Sequence, residues 1–211
     1  EKLIFNLGIS YDASYQVVSN GVLKQKTPNG NLVHWQYQME KPMSSYLLML
    51  AIGKFDKKEF KSKFETEFGS LFNHYKTVVV HIRRTDYMNY GERRKRDISL
   101  PMGYFKERLN AIKNLNQYKV IFVSDDVAHV KQVFPAQENF IFSNNDEITD
   151  FQIIQHADIA IISNSTFAWW ASYLSPKNNQ VYAPKNWFGF KIGREHPRGI
   201  MTNKFIWCDV K

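Results

Sequence analysis

The chain has 211 residues, 44% of them hydrophobic, which is enough to bury a sizeable core and argues against a disordered protein. Its 28 basic and 20 acidic residues leave a net charge of +8, which favours an anionic partner: nucleic acid, an acidic membrane surface or a phosphorylated small molecule. The single cysteine, Cys208, excludes an internal disulfide and a cysteine-based zinc site, and no apolar run approaches the ~18 residues of a membrane span.

The sequence opens on strand-like Glu1-Lys2-Leu3-Ile4, with no secretory signal pattern and no initiator Met, as expected of a piece of a longer protein. Residues 1–60 read as an all-β segment. "LIFNLGISY" alternates apolar and small or polar residues. "YQVVSNGVLKQ" carries an Asn20-Gly21 turn between β-rich flanks, and Pro28-Asn29-Gly30 precedes an alternation through Val33, Trp35, Tyr37 and Met39. "SSYLLMLAIGKF" reads as a fully apolar strand ended by Gly53.

Residues 61–211 change texture and alternate strand with helix. "TVVVHI" is a strand, and "LPMGYFKERLNAIKNL" an amphipathic helix with Tyr104, Leu109, Ile112 and Leu115 on one stripe. "YKVIFVSDD" is a strand, "VAHVKQVF" a short helix stopped by Pro135, and "NFIFSN" a strand. "TDFQIIQHADI" is a helix capped by Thr149 or Asp150, and "IAIIS" a strand. "STFAWWASYLS" is a helix stopped by Pro176, and "QVYAP" is the last strand. The rhythm predicts an α/β fold, a Rossmann-like doubly wound parallel sheet preceded by a short all-β segment.

Such sheets bind ligands outside the carboxyl ends of their strands. Four polar clusters follow apolar strands here: His81 to Asp86, Ser124-Asp125-Asp126, Ser143-Asn144-Asn145, and Ser163 to Thr166. Together they form one rim. Strand alternation puts His81 and Arg83 on one face and Arg84 on the other. Arg83 either pairs with Asp86 or forks onto a phosphate, which suits a planar guanidinium; Arg84 braces Asp86 or the loop behind. Ser165 and Thr166 either cap a helix in the ordinary way or present its positive end to a phosphate. Asp150 is either a helix-end carboxylate or an acceptor for the N–H edge of guanine. The paired Trp169 and Trp170 read as core. The basic run "ERRKRD", Glu92 to Asp97, reads as a solvated loop or a diphosphate cover, and no nucleic-acid recognition motif accompanies it.

In order and spacing, "HIRRTDY", "LPMGYFKERLNAI", "VIFVSDD", and "STFAWWASYL" followed by "VYAPKNWF" resemble the alpha-1,2-fucosyltransferase family, glycosyltransferase family 11, over about residues 64–211. That resemblance implies the C-terminal donor half of a GT-B glycosyltransferase. It implies GDP-beta-L-fucose as donor and inverting transfer to the 2-hydroxyl of a galactose-containing glycan, without metal or other cofactor. It also implies no nucleic-acid partner, and a cytoplasmic protein peripheral to the inner membrane. Arg83 is then the catalytic arginine that meets the leaving diphosphate. His81, Arg84, Asp86, Asp125 and Asp126 lie around the donor, Asp150 reads the guanine, and Ser165 and Thr166 face the phosphates. Thr85 stands where the family usually has Gly. The family's glycine-rich N-terminal segment is absent, so weak or absent transfer is expected. Instead, "YQVVSNGVL" and "HWQYQMEKPMSSYLLMLAIGKFD" resemble the N-terminal β-domain of aminopeptidase N-type zinc aminopeptidases. No His-Glu-x-x-His occurs, so that resemblance implies a non-catalytic interaction module at most. Two unrelated resemblances meeting near residue 60 read as a fused, chimeric or recombined chain, or as an assembly artefact.

Overall fold

Val78, Val80, Ile82, Val120, Phe122 and Ile161 are all almost completely buried, as expected of strands covered on both faces. They belong to a six-stranded parallel sheet in a computed structural model that describes residues 2–40, 42–44, 47–54, 57–91 and 95–211. Contacts group the chain into two units: Glu1–Lys57 with Glu195–Ile200, and Lys58–Arg194 with Met201–Lys211.

In the first unit, β1 (Lys2–Leu3), β2 (Asn6–Asp12), β3 (Gln16–Ser19), β4 (Val22–Asn29), β5 (Leu32–Gln38), β6 (Met43–Ser44) and β7 (Leu50–Gly53) form three small antiparallel sheets. Their orders are β1-β6, β2-β5-β4 and β3-β7. The alternation in β5 is realised: Val33, Trp35 and Tyr37 are buried with Val17 of β3, and the Tyr37 hydroxyl donates to the Val17 carbonyl at 2.7 Å. Gly30, at φ 58°, opens the two-residue β4–β5 loop. Asn20-Gly21 does not close a hairpin, because β3 pairs with β7 and β4 with β5, so the turn carries the chain from one sheet to another. Gly21 has φ 88°, and a Cβ there would sit 2.4 Å from the Gln38 carbonyl oxygen. The long apolar strand shrinks to β7, with Leu48, Met49 and Leu50 exposed; Ser45, Tyr46 and Phe55 of that stretch lie outside the described residues.

The second unit opens one residue into α1 (Lys57–His74), a helix the sequence reading did not anticipate. Then follow β8 (Lys76–Ile82), α2 (Met102–Asn110), β9 (Tyr118–Ser124), α3 (Val127–Val133), β10 (Phe140–Phe142) and α4 (Glu147–Gln155). The series ends with β11 (Ile159–Ile162), α5 (Thr166–Tyr173), β12 (Gln180–Pro184) and β13 (Ile206–Cys208). The strand order is β10-β9-β8-β11-β12-β13, parallel throughout. This Rossmann-like winding runs outward in both directions from β8 and β11, and its switch point lies between them. Two expectations change. The helix over 100–115 stops at Asn110, and Asn114 takes a left-handed φ of 55°; Ile112 and Leu115 still pack on the core from the turns beyond. β12 is not the last strand, because Ile206–Cys208 adds a sixth. Of the paired tryptophans read as core, Trp169 is buried and Trp170 is half-buried. Among the described residues no helix is long and apolar enough to cross a membrane.

Candidate functional site

β8 ends at Ile82, and its next two residues part company. Arg83 turns into a cleft of about 550 Å³ at the carboxyl ends of β8, β9 and β11. Its Nε donates to Asp86 Oδ1 at 2.8 Å and its Nη2 to Asp86 Oδ2 at 3.1 Å, a two-pronged bond. Asp125 Oδ2 lies 3.4 Å from the same Nε, and the guanidinium sits 5.8 Å from the centre of the Tyr87 ring. The hydrogen bond to Asp86 and the two carboxylate charges hold Arg83 in its charged form. Two of its five N–H donors serve Asp86, leaving the rest of the fork for a further acceptor. Arg84 points the other way. It pairs with Asp126, Nε to Oδ2 at 3.3 Å, and lines a different hollow beside Ser99 and Lys191. Arg84 therefore braces Asp126 rather than Asp86, and neither Arg84 nor Asp126 lines the Arg83 cleft. The cause is the strand alternation that splits the arginine pair.

The two aspartates after β9 divide their work in the same way. Asp125 grips the loop after β8: Oδ1 accepts the Arg84 backbone N–H at 2.9 Å, and Oδ2 accepts the Thr85 N–H at 3.0 Å and the Thr85 hydroxyl at 2.5 Å. Asp126 caps α3, accepting the His129 N–H at 3.2 Å.

His81 lies 5% exposed at the floor of the cleft, its Nδ1 2.9 Å from the Ser163 hydroxyl. Burial pushes its pKa down to about 4, with Asp125 opposing and Arg83 assisting, so the ring is neutral near pH 7. His81 can thus donate or accept a hydrogen bond, but it brings no positive charge.

Asp150 also faces the cleft, although it is not the cap of α4. Asp146 is, accepting the Thr149 N–H at 2.8 Å and the Thr149 hydroxyl at 3.1 Å while paired with Lys63. Those partners hold Asp146 well below the usual carboxylate range, the Lys63 bond foremost. Asp150, one turn on, accepts from the Ser143 hydroxyl at 2.5 Å, and Asn145 donates to that same hydroxyl at 2.9 Å. Burial, together with Asp146 and Glu147, pushes Asp150 up to about 6.

Ser165 is the residue before α5, and its side chain makes no capping bond. Ser165 and Thr166 both line the cleft, so the first turn of α5 lies at the same cleft as Arg83. Asn164 is fully buried, with its amide donating to the Ile98 carbonyl at 2.8 Å, so the Asn164-Ser165-Thr166 sequon is not a surface acceptor.

Of the nine residues named from sequence, the cleft collects His81, Arg83, Asp86, Asp125, Asp150, Ser165 and Thr166. The sequence reading placed Asn145 on the rim but missed Glu147 beside Asp150, Phe167 over His81 at 5.9 Å, and the rings of Tyr87 and Tyr90, against which Phe188 packs. Tyr87 and Phe188 sat inside the quoted motifs, and their ring type was the available signal. Of the basic run, Glu92, Arg93 and Arg94 lie outside the described residues, while Arg96 exchanges two backbone hydrogen bonds with Tyr90, both 3.0 Å. Among the described residues no group of acidic, histidine or cysteine side chains is placed to hold a metal ion.

The model of the family described as Glycosyl transferase family 11 matches residues 44–195. The O-antigen biosynthesis glycosyltransferase WbnK of Escherichia coli is 33% identical over 118 residues, covering 53% of this chain and 39% of that protein. An alpha-1,2-colitosyltransferase of Escherichia coli is 31% identical over 123 residues, covering 53% and 41%. The chain thus spans about two fifths of the length of these relatives. Among solved structures, NodZ alpha-1,6-fucosyltransferase co-crystallised with GDP is similar at 13% identity and TM-score 0.44, over 65% of this chain and 46% of that one. An M1 zinc metallopeptidase from Deinococcus radiodurans is similar at 11% identity and TM-score 0.27, over 90% and 39%. Both structural likenesses are too low to bear on the site, and the second is too low to assign residues 1–60 to the aminopeptidases.

Proposed function

Since the chain belongs to glycosyl transferase family 11, we propose that its parallel-sheet unit binds GDP-beta-L-fucose and serves inverting transfer of fucose to the 2-hydroxyl of a galactoside. The observation that carries this reading is the meeting of Arg83 with the uncapped first turn of α5 at the β8/β11 switch point. The alpha-1,2 linkage in the name of one relative supports the regiochemistry.

The chemistry follows from charge. As the bond from sugar to diphosphate breaks, negative charge grows on the leaving phosphate. Fixed donors aimed at that oxygen stabilise the transition state more than the ground state. Arg83 supplies a formal charge and a fork of N–H groups, and α5 supplies its helix-end N–H groups with the hydroxyls of Ser165 and Thr166. Asp86, with its side chain 53% exposed, is the Arg83 partner that an incoming phosphate displaces. Asp125 keeps the loop in place during that exchange. Neutral His81 holds Ser163 and contributes a polar floor. At the other side of the cleft, Asp150 accepts the ring N–H and amino group of guanine as a carboxylate.

Calorimetric titration tests the reading. GDP is expected to bind the parent chain, and Arg83→Ala is expected to weaken that binding by about 1.5–3 kcal/mol, the range of a charge-assisted hydrogen bond. An Arg83→Ala variant with unchanged GDP affinity overturns the assignment.

A further inference from the structure

One exposed aromatic surface lies in a cleft that is otherwise mainly polar. Tyr90 is 48% exposed and lines the cleft with Tyr87. Its ring stacks on Phe188 with centroids 6.0 Å apart and planes 27° apart, and meets Tyr87 edge-on at 6.1 Å. Tyr87 meets Phe188 at 5.8 Å and anchors the group, since its hydroxyl donates to the Asn164 carbonyl at 3.2 Å. Two backbone hydrogen bonds to Arg96 hold Tyr90 from its own strand-like bridge. A ring fixed on three sides and still open to a cleft is preorganised for a ligand with an apolar face.

Its position identifies the ligand. Arg83 lies 5.8 Å from the Tyr87 ring centre, so a phosphate on the guanidinium brings whatever it is esterified to within reach of the shelf. A nucleoside diphosphate sugar carries its nucleoside on one phosphate and its hexose on the other; with the guanine edge assigned to Asp150, the group left for the shelf is the hexose. We infer that Tyr87 and Tyr90, backed by Phe188, form the subsite for the donor's glycosyl group, with Tyr90 facing the apolar C5–C6 edge of a 6-deoxyhexose; this rests on the nucleotide-sugar reading. A 6-deoxy sugar ends in a methyl, which loses water against a ring at no polar cost. A 6-hydroxyl in the same place loses a hydrogen bond to water unless it finds another.

The test titrates GDP, GDP-L-fucose and GDP-L-galactose, which has the same ring with a 6-hydroxyl, into the full chain and into Tyr90→Ala and Tyr90→Phe. The parent and Tyr90→Phe are expected to prefer the 6-deoxy donor. Tyr90→Ala is expected to lose about 3- to 10-fold in affinity for GDP-L-fucose, the range of one aromatic contact, with GDP affinity held within about twofold. The preference between the two sugars collapses with it. If Tyr90→Ala leaves the GDP-L-fucose to GDP affinity ratio unchanged while GDP still binds, the glycosyl subsite is overturned and the nucleotide site stands. If the only change is a raised KM for the acceptor sugar, the shelf belongs to the acceptor and the inference falls. If the parent binds no GDP, both readings fall together.

Discussion

Asp150 keeps a carboxylate where ionisation is costly. Burial is the main cause, the neighbouring Asp146 and Glu147 add to it, and the Ser143 hydroxyl only partly offsets the rise to about 6. A guanine edge is met by the ionised form, because a protonated carboxyl loses acceptor capacity. GDP-L-fucose affinity is therefore expected to be flat above about pH 7. It should fall as pH drops through about 6, approaching tenfold per pH unit until the carboxyl of the complex is itself protonated. Titrations with GDP-L-fucose between pH 5 and 8 read this directly, because its diphosphate is esterified at both ends and lacks the terminal phosphate that titrates at about pH 6 in GDP, and a slope that persists in Asp150→Asn sinks the assignment. The same shift has a stability consequence. The folded state holds this proton more tightly than the unfolded chain, so the contribution to stability grows as pH falls from about 6 toward 4 and is lost above it. At pH 7 the ionised group is a cost. Asp150→Asn is expected to stabilise the ligand-free protein by about 1–2 kcal/mol after discounting for partial exposure, while weakening GDP binding. A denaturant midpoint that moves down instead of up contradicts this.

The site depends on loops fixed by single side chains from neighbouring elements. The end of β9 shows it best. Asp125 takes two backbone N–H groups and a hydroxyl from the turn after β8, and so sets where Arg83 begins. Asp125→Ala is expected to reduce GDP affinity by about 3- to 10-fold through loss of this placement, whereas Asp125→Asn, which keeps an acceptor oxygen, loses less. Equal losses in the two variants would mean that charge, and not placement, is what Asp125 supplies. At this scale the sequence was informative where spacing maps directly onto geometry. Strand alternation separated Arg83 from Arg84, and the polar residues after four apolar runs do line one rim. What it could not show was pairing across elements. Lys63 on α1 reaches Asp146 some eighty residues on, and that tie makes Asp146 the cap and leaves Asp150 to the cleft. β13 was hidden for another reason: three residues, Ile206–Cys208, are too few to display a period.

At the scale of the chain, the two units are built on very different cores. The parallel-sheet unit buries strands on both faces, with side chains such as Phe105, Phe122, Ile153 and Ile161 at most 1% exposed. The N-terminal unit packs Val17, Val33, Trp35 and Tyr37 with Leu7 and Ile9, and every residue of β4 is exposed. A set of short antiparallel strands around so small a cluster is marginal alone, because small units bury too little surface to offset chain entropy. Every residue lining the Arg83 cleft lies in the parallel-sheet unit. A ligand that binds one folded unit stabilises that unit by RT ln(1 + [L]/Kd), about 2.7 kcal/mol at a hundredfold excess over Kd. Calorimetric unfolding is therefore expected to show two transitions, a lower one from the β segment and a higher one from the parallel sheet, with GDP raising only the higher. Tryptophan fluorescence of a Trp35→Phe variant assigns the lower transition, since Trp35 sits in the small core. A single transition that GDP moves as a whole would mean that the two units fold as one cooperative body, and the β segment would then be part of what holds the nucleotide site.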